Sequence, residues 1–271
     1  MRVALLCSLV ALAGCFGKDK DAPDLPDIPA GEMYNQGLKL MSEGKLRRAS
    51  EQFANVDKQN PYTEWARKAL IMQAFTNYRL GKLDDTVEAA KRYIALYPAS
   101  PDAAYAQYMI GQAYFKQIPD VTRDQESTER AISAMQEVVE RYPKSEYVDD
   151  AQRAIVVARD QLAGKQMQIG RYYLERREYT AAINRFKTVV IQYGNTRQVE
   201  EALYRLTSAY YAMGIVSEAQ TAAAVLGHNF PDSTWYKDAY NLLQSGGVLP
   251  HENRSSWISK AFQTVTGLGG T

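Results

Sequence analysis

The sequence predicts an all-α fold: a solenoid of five helix-turn-helix repeats, with one long helix joining repeats 3 and 4. Three observations predict it. A short pattern of small, aromatic and proline residues recurs five times along the 271 residues. The two longest intervals between copies contain, respectively, a polar segment with one proline and a proline-free stretch of helical periodicity. The composition, 46% hydrophobic and 23% charged, is that of a globular chain able to bury a core. Lys and Arg number 32 against 31 Asp and Glu, so there is no basic excess to neutralise phosphates, and nucleic acid is not an expected partner. Two Cys and two His supply too few ligands for a structural zinc site or a thiol protease.

Taking the elements in order, Met1-Arg2 precedes the apolar run Val3 to Ala11 and then Leu12-Ala-Gly-Cys15. A positive start, a short apolar core and a small-residue cleavage site describe a signal peptide, too short for the roughly 20 residues of a spanning helix. The Leu-Ala-Gly-Cys box resembles that of bacterial lipoproteins, which implies cleavage after residue 14 and lipid on Cys15. Phe16, where inner-membrane retention uses Asp, implies the outer membrane. Loss of Arg2 with the signal leaves 31 basic against 31 acidic residues, and loss of Cys7 leaves Cys15 without a disulfide partner. Residues 15–31 form the lipidated Cys and a tether in which Pro23, Pro26 and Pro29 recur every third residue. That spacing favours polyproline II and a reach of up to about 40 Å. Leu25 and Ile28 would alternatively let it pack along the first repeat.

Residues 32–244 are expected to hold the repeats and a terminal capping helix. The copies are Gly44 to Pro61, Gly81 to Pro98, Ala131 to Pro143, Tyr179 to Gly194 and Gly214 to Pro231. Preceding each, a small residue lies on a first helix: Gly37, Ala74, Gly111, Gly170 and Thr207. These match the tetratricopeptide pattern, in which the small residue admits a close helix crossing and Pro stops the second helix. The closing positions are spaced 37, 45, 51 and 37 residues apart. The first long interval is explained by a loop over Lys116 to Gln125. The second is explained by a helix from about Glu146 to Glu175, whose apolar residues Val148, Ala151, Ile155, Ala158 and Leu162 step by three and four. Thr234 to Gln244 reads as the terminal helix that solenoids need. Residues 245–271 form a tail with one amphipathic helix, in which Trp257, Ile258, Ala261, Phe262 and Val265 share a face behind a Ser cap. That face suits a partner, the membrane or the array itself.

With the lipobox, tether and repeats together, the chain resembles the BamD family of outer-membrane protein assembly factors. The resemblance rests on Leu25-Pro-Asp-Ile-Pro before Glu32-Met-Tyr34, on Val121-Thr-Arg-Asp-Gln125, on Tyr142-Pro-Lys-Ser-Glu-Tyr147, and on Tyr172-Tyr-Leu-Glu-Arg176 before Asn184-Arg185. It covers about residues 12–230. It implies a periplasmic lipoprotein on the outer membrane that binds a BamA-like barrel subunit, the other assembly-complex lipoproteins and unfolded outer-membrane proteins. An adaptor for peptidoglycan synthesis or pilus assembly would carry the same anchor and repeats.

The tetratricopeptide family binds extended peptides with its inner helices. Carrying those positions over gives Tyr34, Leu38 and Met41, then Ile71, Phe75 and Tyr78, then Tyr105, Tyr108, Gln112 and Phe115. Aromatic side chains there bury large area with few torsions to freeze. Packing into the core is the other reading. The later repeats give Met167, Arg171 and Leu174, then Tyr204, Ser208 and Tyr211, a more polar set. For partner contact the candidates are Asn184 and Arg185, with Arg197 and Arg205 behind them, because a guanidinium fork holds a carboxylate bidentately. An Arg paired along its own helix face is the competing reading for Arg185. No nucleophile elbow, phosphate loop or His-Glu-x-x-His motif is present, and adjacent acids such as Asp84-Asp85 read as helix starts. A noncatalytic scaffold with no cofactor or metal, apart from lipid on Cys15, is therefore expected. An enzyme whose carboxylates converge only in three dimensions is the alternative of another class.

Overall fold

A computed structural model of the chain describes residues 28–265; Cys15, the signal peptide and the tether up to residue 27 lie outside the described residues. Among the described residues there are twelve α-helices and no strand. They are α1 (Ala30–Ser42), α2 (Leu46–Gln59), α3 (Glu64–Leu80), α4 (Leu83–Leu96), α5 (Ala103–Lys116), α6 (Glu126–Arg141), α7 (Val148–Glu175), α8 (Tyr179–Gln192), α9 (Gln198–Ala212), α10 (Val216–Asn229), α11 (Thr234–Ser245) and α12 (Trp257–Val265). The first ten pair into five repeats, and each odd-numbered helix from α1 to α9 also touches the next odd-numbered one, so these form the inner row.

The local chemistry of the repeat is visible at the crossings. A Cβ on Gly37 would lie 2.6 Å from the Phe53 ring, on Gly111 2.6 Å from Met135 Sδ and on Gly170 2.4 Å from the Phe186 ring. Phe53, Met135 and Phe186 are fully buried, so each of these second helices drives its largest buried side chain into the gap that the glycine of the first helix leaves. Four second helices end alike: Asn60, Tyr97, Tyr142 and Phe230 have φ of −128° to −136° and ψ of 54° to 61°. Each precedes a proline, whose ring excludes the helical region for the residue before it. Tyr193 before Gly194 takes nearly the same shape without one.

The long helix runs unbroken through Gly164. Its first half buries Ala151, Ala154 and Ala158, and its second half buries Ala163, Met167 and Gly170. At 3.6 residues per turn, the five-residue step from Ala158 to Ala163 turns the buried stripe by about 140°. One helix thus closes repeat 3 with one face and opens repeat 4 with another. The expected third-repeat loop, residues 117–125, lies on the middle of this helix. Gln161 Nε2 donates to Pro119 O at 2.7 Å, and Lys165 Nζ donates to Thr122 O at 2.9 Å. Val121 Cγ1 sits 3.4 Å from where a Cβ of Gly164 would be. The two long intervals of the repeat spacing are therefore the two sides of one contact.

Both ends of the described residues pack inward. Ile28 rests on the first-repeat core, and Ala30 and Gly31, expected at the end of the tether, form the first turn of α1. Gly31 lets the Trp65 indole close over it, since a Cβ would lie 2.9 Å from the ring. α11 covers α9 and α10. The tail then returns to lay α12 across α8 and α10. Ile258 is fully buried, Phe262 meets Phe230 edge-on at 6.1 Å, and Trp257 Nε1 donates to Tyr210 Oη at 3.1 Å. Ser256 caps the helix by accepting from Ile258 N at 3.2 Å while its hydroxyl donates to Glu218 at 2.6 Å. Of the three destinations open to the amphipathic face, it takes the array itself.

Candidate functional site

The inner helices carry two chemically different surfaces. On α5, Tyr105 and Tyr108 meet Tyr147, the residue at the start of α7, with Tyr78 of α3 beside Tyr105 and Tyr108. Tyr105 and Tyr147 have ring centroids 5.4 Å apart, and Tyr108 stacks on Tyr147 at 5.0 Å with 21° between planes. Gln112 Nε2 donates to Tyr108 Oη at 2.8 Å. Lys116 Nζ lies 4.9 Å from the Tyr78 ring, and the Arg79 guanidinium lies 5.9 Å from Phe75. Burial beside the neighbouring phenols Tyr147, Tyr108 and Tyr78 pushes Tyr105 up to about 12. Burial raises Tyr108 and Tyr147 as well. At neutral pH these three hydroxyls keep their protons and can donate to carbonyl groups.

The other expected groove residues divide. Tyr34 packs between Phe53, at 5.7 Å, and Trp65, at 5.5 Å, and Leu38 and Met41 also lean on the first-repeat core. They form the wall of that core, Tyr34 and Leu38 half-buried. Ile71 belongs to the second-repeat core and Phe115 to the third, each half-buried. Met167 is a correction: it is fully buried with Phe186 and Leu203, because the turned stripe of α7 carries its position into the fourth-repeat core. Tyr147 was not among the expected residues. Its motif was legible, but its place depends on where the long helix begins.

On α7, α9 and α11 the surface is charged and aromatic. Arg171 Nη1 donates to Glu201 Oε2 at 2.9 Å, and Arg205 Nε donates to Glu201 Oε1 at 3.1 Å. Tyr204 stacks on Trp235 at 5.3 Å and 29°, with the Arg205 guanidinium 5.2 and 5.4 Å from the two rings. Ser208 Oγ donates to Tyr204 O, and Tyr211 closes on Gly246, where a Cβ would overlap its hydroxyl. Of the four residues expected at a partner surface, Arg205 stands apart, held by Glu201, Tyr204 and Trp235. Asn184 is exposed on α8, and Arg185 Nη1 reaches across to Gln166 Oε1 on α7 at 3.3 Å, not along its own helix. Arg197, with 84% of its side chain exposed, donates to Asp160 at 2.7 Å. Arg205 is held by its own molecule.

The adjacent acids Asp84-Asp85, Asp149-Asp150 and Glu200-Glu201 all fall in first helical turns. Among the described residues no cluster of three or more His, Cys, Asp or Glu is placed to hold a metal ion, and no helix is long and apolar enough to cross a membrane.

Fold and inner surfaces define a tetratricopeptide-repeat protein whose side-chain chemistry is arranged along one row of helices. A family model described as YfiO, outer membrane lipoprotein, matches residues 26–226. The chain is 42% identical over 250 residues to an outer membrane protein assembly factor BamD of Caulobacter vibrioides, covering 92% of this chain and 82% of that one. It is 37% identical over 242 residues to the protein of that name from Rickettsia prowazekii (89% and 96% covered). It is 30% identical over 253 residues to that of Neisseria meningitidis (88% and 95%). The chain belongs to the BamD family.

Proposed function

We propose that the chain is a noncatalytic adaptor of outer-membrane β-barrel assembly, held on the periplasmic face of the outer membrane by lipid on Cys15. Its C-terminal half carries the contact with a BamA-like barrel subunit, centred on Asn184, Arg185 and Arg197. Its N-terminal inner surface receives segments of unfolded outer-membrane proteins, and other lipoproteins of the complex bind around it. Family membership supports the setting. The observation that carries the mechanism is the cluster of Tyr78, Tyr105, Tyr108 and Tyr147 on the inner face, with Phe75 about one helical turn before Tyr78 on α3. Ring faces there bury apolar side chains, while the protonated hydroxyls of Tyr105, Tyr108 and Tyr147 and the Gln112 amide bond an extended backbone.

The test is binding of aromatic-rich strand peptides by the Phe75→Ala, Tyr108→Ala double variant. Affinity falls by about tenfold or more, the loss of two aromatic anchors, while helical content and capture of the barrel subunit are kept. Undiminished peptide affinity contradicts the assignment.

A further inference from the structure

We infer that the outer face of the array carries a docking groove, between α4 and α6, for an amphipathic helix of a partner protein whose N-cap is a carboxylate followed directly by tryptophan. It uses none of the inner-surface residues and does not rest on the role assigned to them.

The chain itself shows what such a groove holds. α12 lies across α8 and α10, the second helices of repeats 4 and 5. Four residues beneath it and its lead-in set its place. Lys187 Nζ is 4.9 Å from the Trp257 ring, Tyr210 Oη accepts from Trp257 Nε1, Glu218 accepts from the Ser256 hydroxyl, and Thr221 Oγ1 accepts from Asn253 N at 3.2 Å. Aligning repeats 2 and 3 on repeats 4 and 5, with Pro98 on Gly194, Gly111 on Thr207 and Pro143 on Pro231, puts Lys91, Tyr114, Arg130 and Ser133 at those four places. All four line one cleft of about 400 Å³ between α4 and α6, together with Ile94 and Ile110. Lysine and tyrosine are kept, so the seat of the indole is repeated: a cation for its ring face and a phenol oxygen to accept its N–H. Among the described residues α4 touches only α3 and α5, and α6 only α5 and α7, so no helix of this chain covers the cleft. The groove between α2 and α4 is not a third copy, because Ala54 and Asn77 stand there in place of the lysine and the tyrosine.

Charge separates the two occupants. Glu218 takes a hydroxyl from a serine cap, whereas Arg130, in the same place, is exposed and can only donate. Its ion pair with Glu126, along its own helix, uses one of five donors. An aspartate cap takes another and still accepts from the N–H groups of its own helix. Around the cleft Lys91, Arg130 and Arg141 face one acid, Glu137, which Arg141 already pairs. The cleft therefore favours an acid-capped helix over the serine-capped α12 of a second copy.

The experiment is calorimetric titration of the full chain with two acetylated and amidated peptides: residues 255–265 of this chain, and the same peptide with aspartate in place of Ser256. The aspartate peptide binds about tenfold tighter, the scale of a charge-assisted bond. Arg130→Glu reverses the order of the two peptides, because it gives the cleft the acid that the tail's own groove has, and Arg130→Gln levels it. Both changes fall on an exposed side chain, so the fold is kept. Lys187→Ala, in the groove that α12 fills, leaves the preference in place. Equal affinity of the two peptides for the unaltered chain, absence of binding by either, or an aspartate preference that survives in both Arg130 variants overturns the assignment. So does a preference lost with Lys187→Ala, since that seats the peptide in the tail's own groove.

Discussion

At Arg177 the fourth repeat does with a full side chain what its neighbours do with glycine. Gly44, Gly81 and Gly214 turn between paired helices at φ of 74°, 75° and 74°, and Arg177 holds φ 61° at the corresponding turn. Its N–H still bonds Leu174 O at 2.9 Å, so the turn forms despite the crowding of its Cβ. Left-handed backbone costs a non-glycine residue about 1–2 kcal/mol. Arg177→Gly relieves that and loses about half as much to the extra freedom of the unfolded chain. Urea unfolding should show a gain of about 0.5–1 kcal/mol, and a loss would mean that Arg177 does something its exposed position hides. Gly170→Val goes the other way. With a Cβ 2.4 Å from the Phe186 ring, overpacking should lower stability by about 1–3 kcal/mol. Tyr105 supplies a pH test. Its phenol is raised to about 12 in the folded chain, so its contribution is intact below the ordinary value near 10 and declines as pH rises from 10 to 12, where the unfolded chain ionises first. Tyr105→Phe should flatten the stability profile in that window, and an unchanged slope would place Tyr105 in water.

The elements were legible where their signals are local. Gly37 with Phe53, Gly170 with Phe186 and a proline after each of four second helices are patterns within one repeat, and they alone placed five helix pairs. The contact between the 117–125 loop and α7 was not legible. It joins residues more than forty apart through backbone carbonyls, which leave no mark in the sequence. Met167 was misplaced for a related reason: a groove position carried over at fixed spacing assumes that each first helix presents one face, whereas α7 changes face between Ala158 and Ala163. Gly164 tests the loop contact. A Cβ there has Val121 at ordinary contact distance, 3.4 Å, so Gly164→Ala should gain up to about 1 kcal/mol in helix propensity. Destabilisation would show that the loop needs the bare glycine to sit down.

For the whole molecule, a solenoid's stability is a sum of neighbouring contacts. α12 and the segment before it are part of that sum, since Ile258 and Phe262 are buried in the C-terminal core. Each fully buried side chain contributes about 1.5–3 kcal/mol. Truncation after Ser245 should therefore raise amide exchange across α8 to α10 and leave α1 to α4 protected as before. Uniform loss of protection would mean that the array unfolds as one cooperative unit. The two inner surfaces lie on opposite sides of the turn in α7; in the function proposed, the aromatic cluster receives a chain while the later repeats face a partner. That division of labour stands or falls with the partner. The decisive measurement is recovery of the full chain from gently solubilised envelopes, with identification of co-purifying proteins for the unaltered chain and for Arg185→Ala. The account predicts a barrel protein with tandem periplasmic domains in near-equal amount, depleted by the substitution. Cell-wall or pilus components without such a barrel would contradict it.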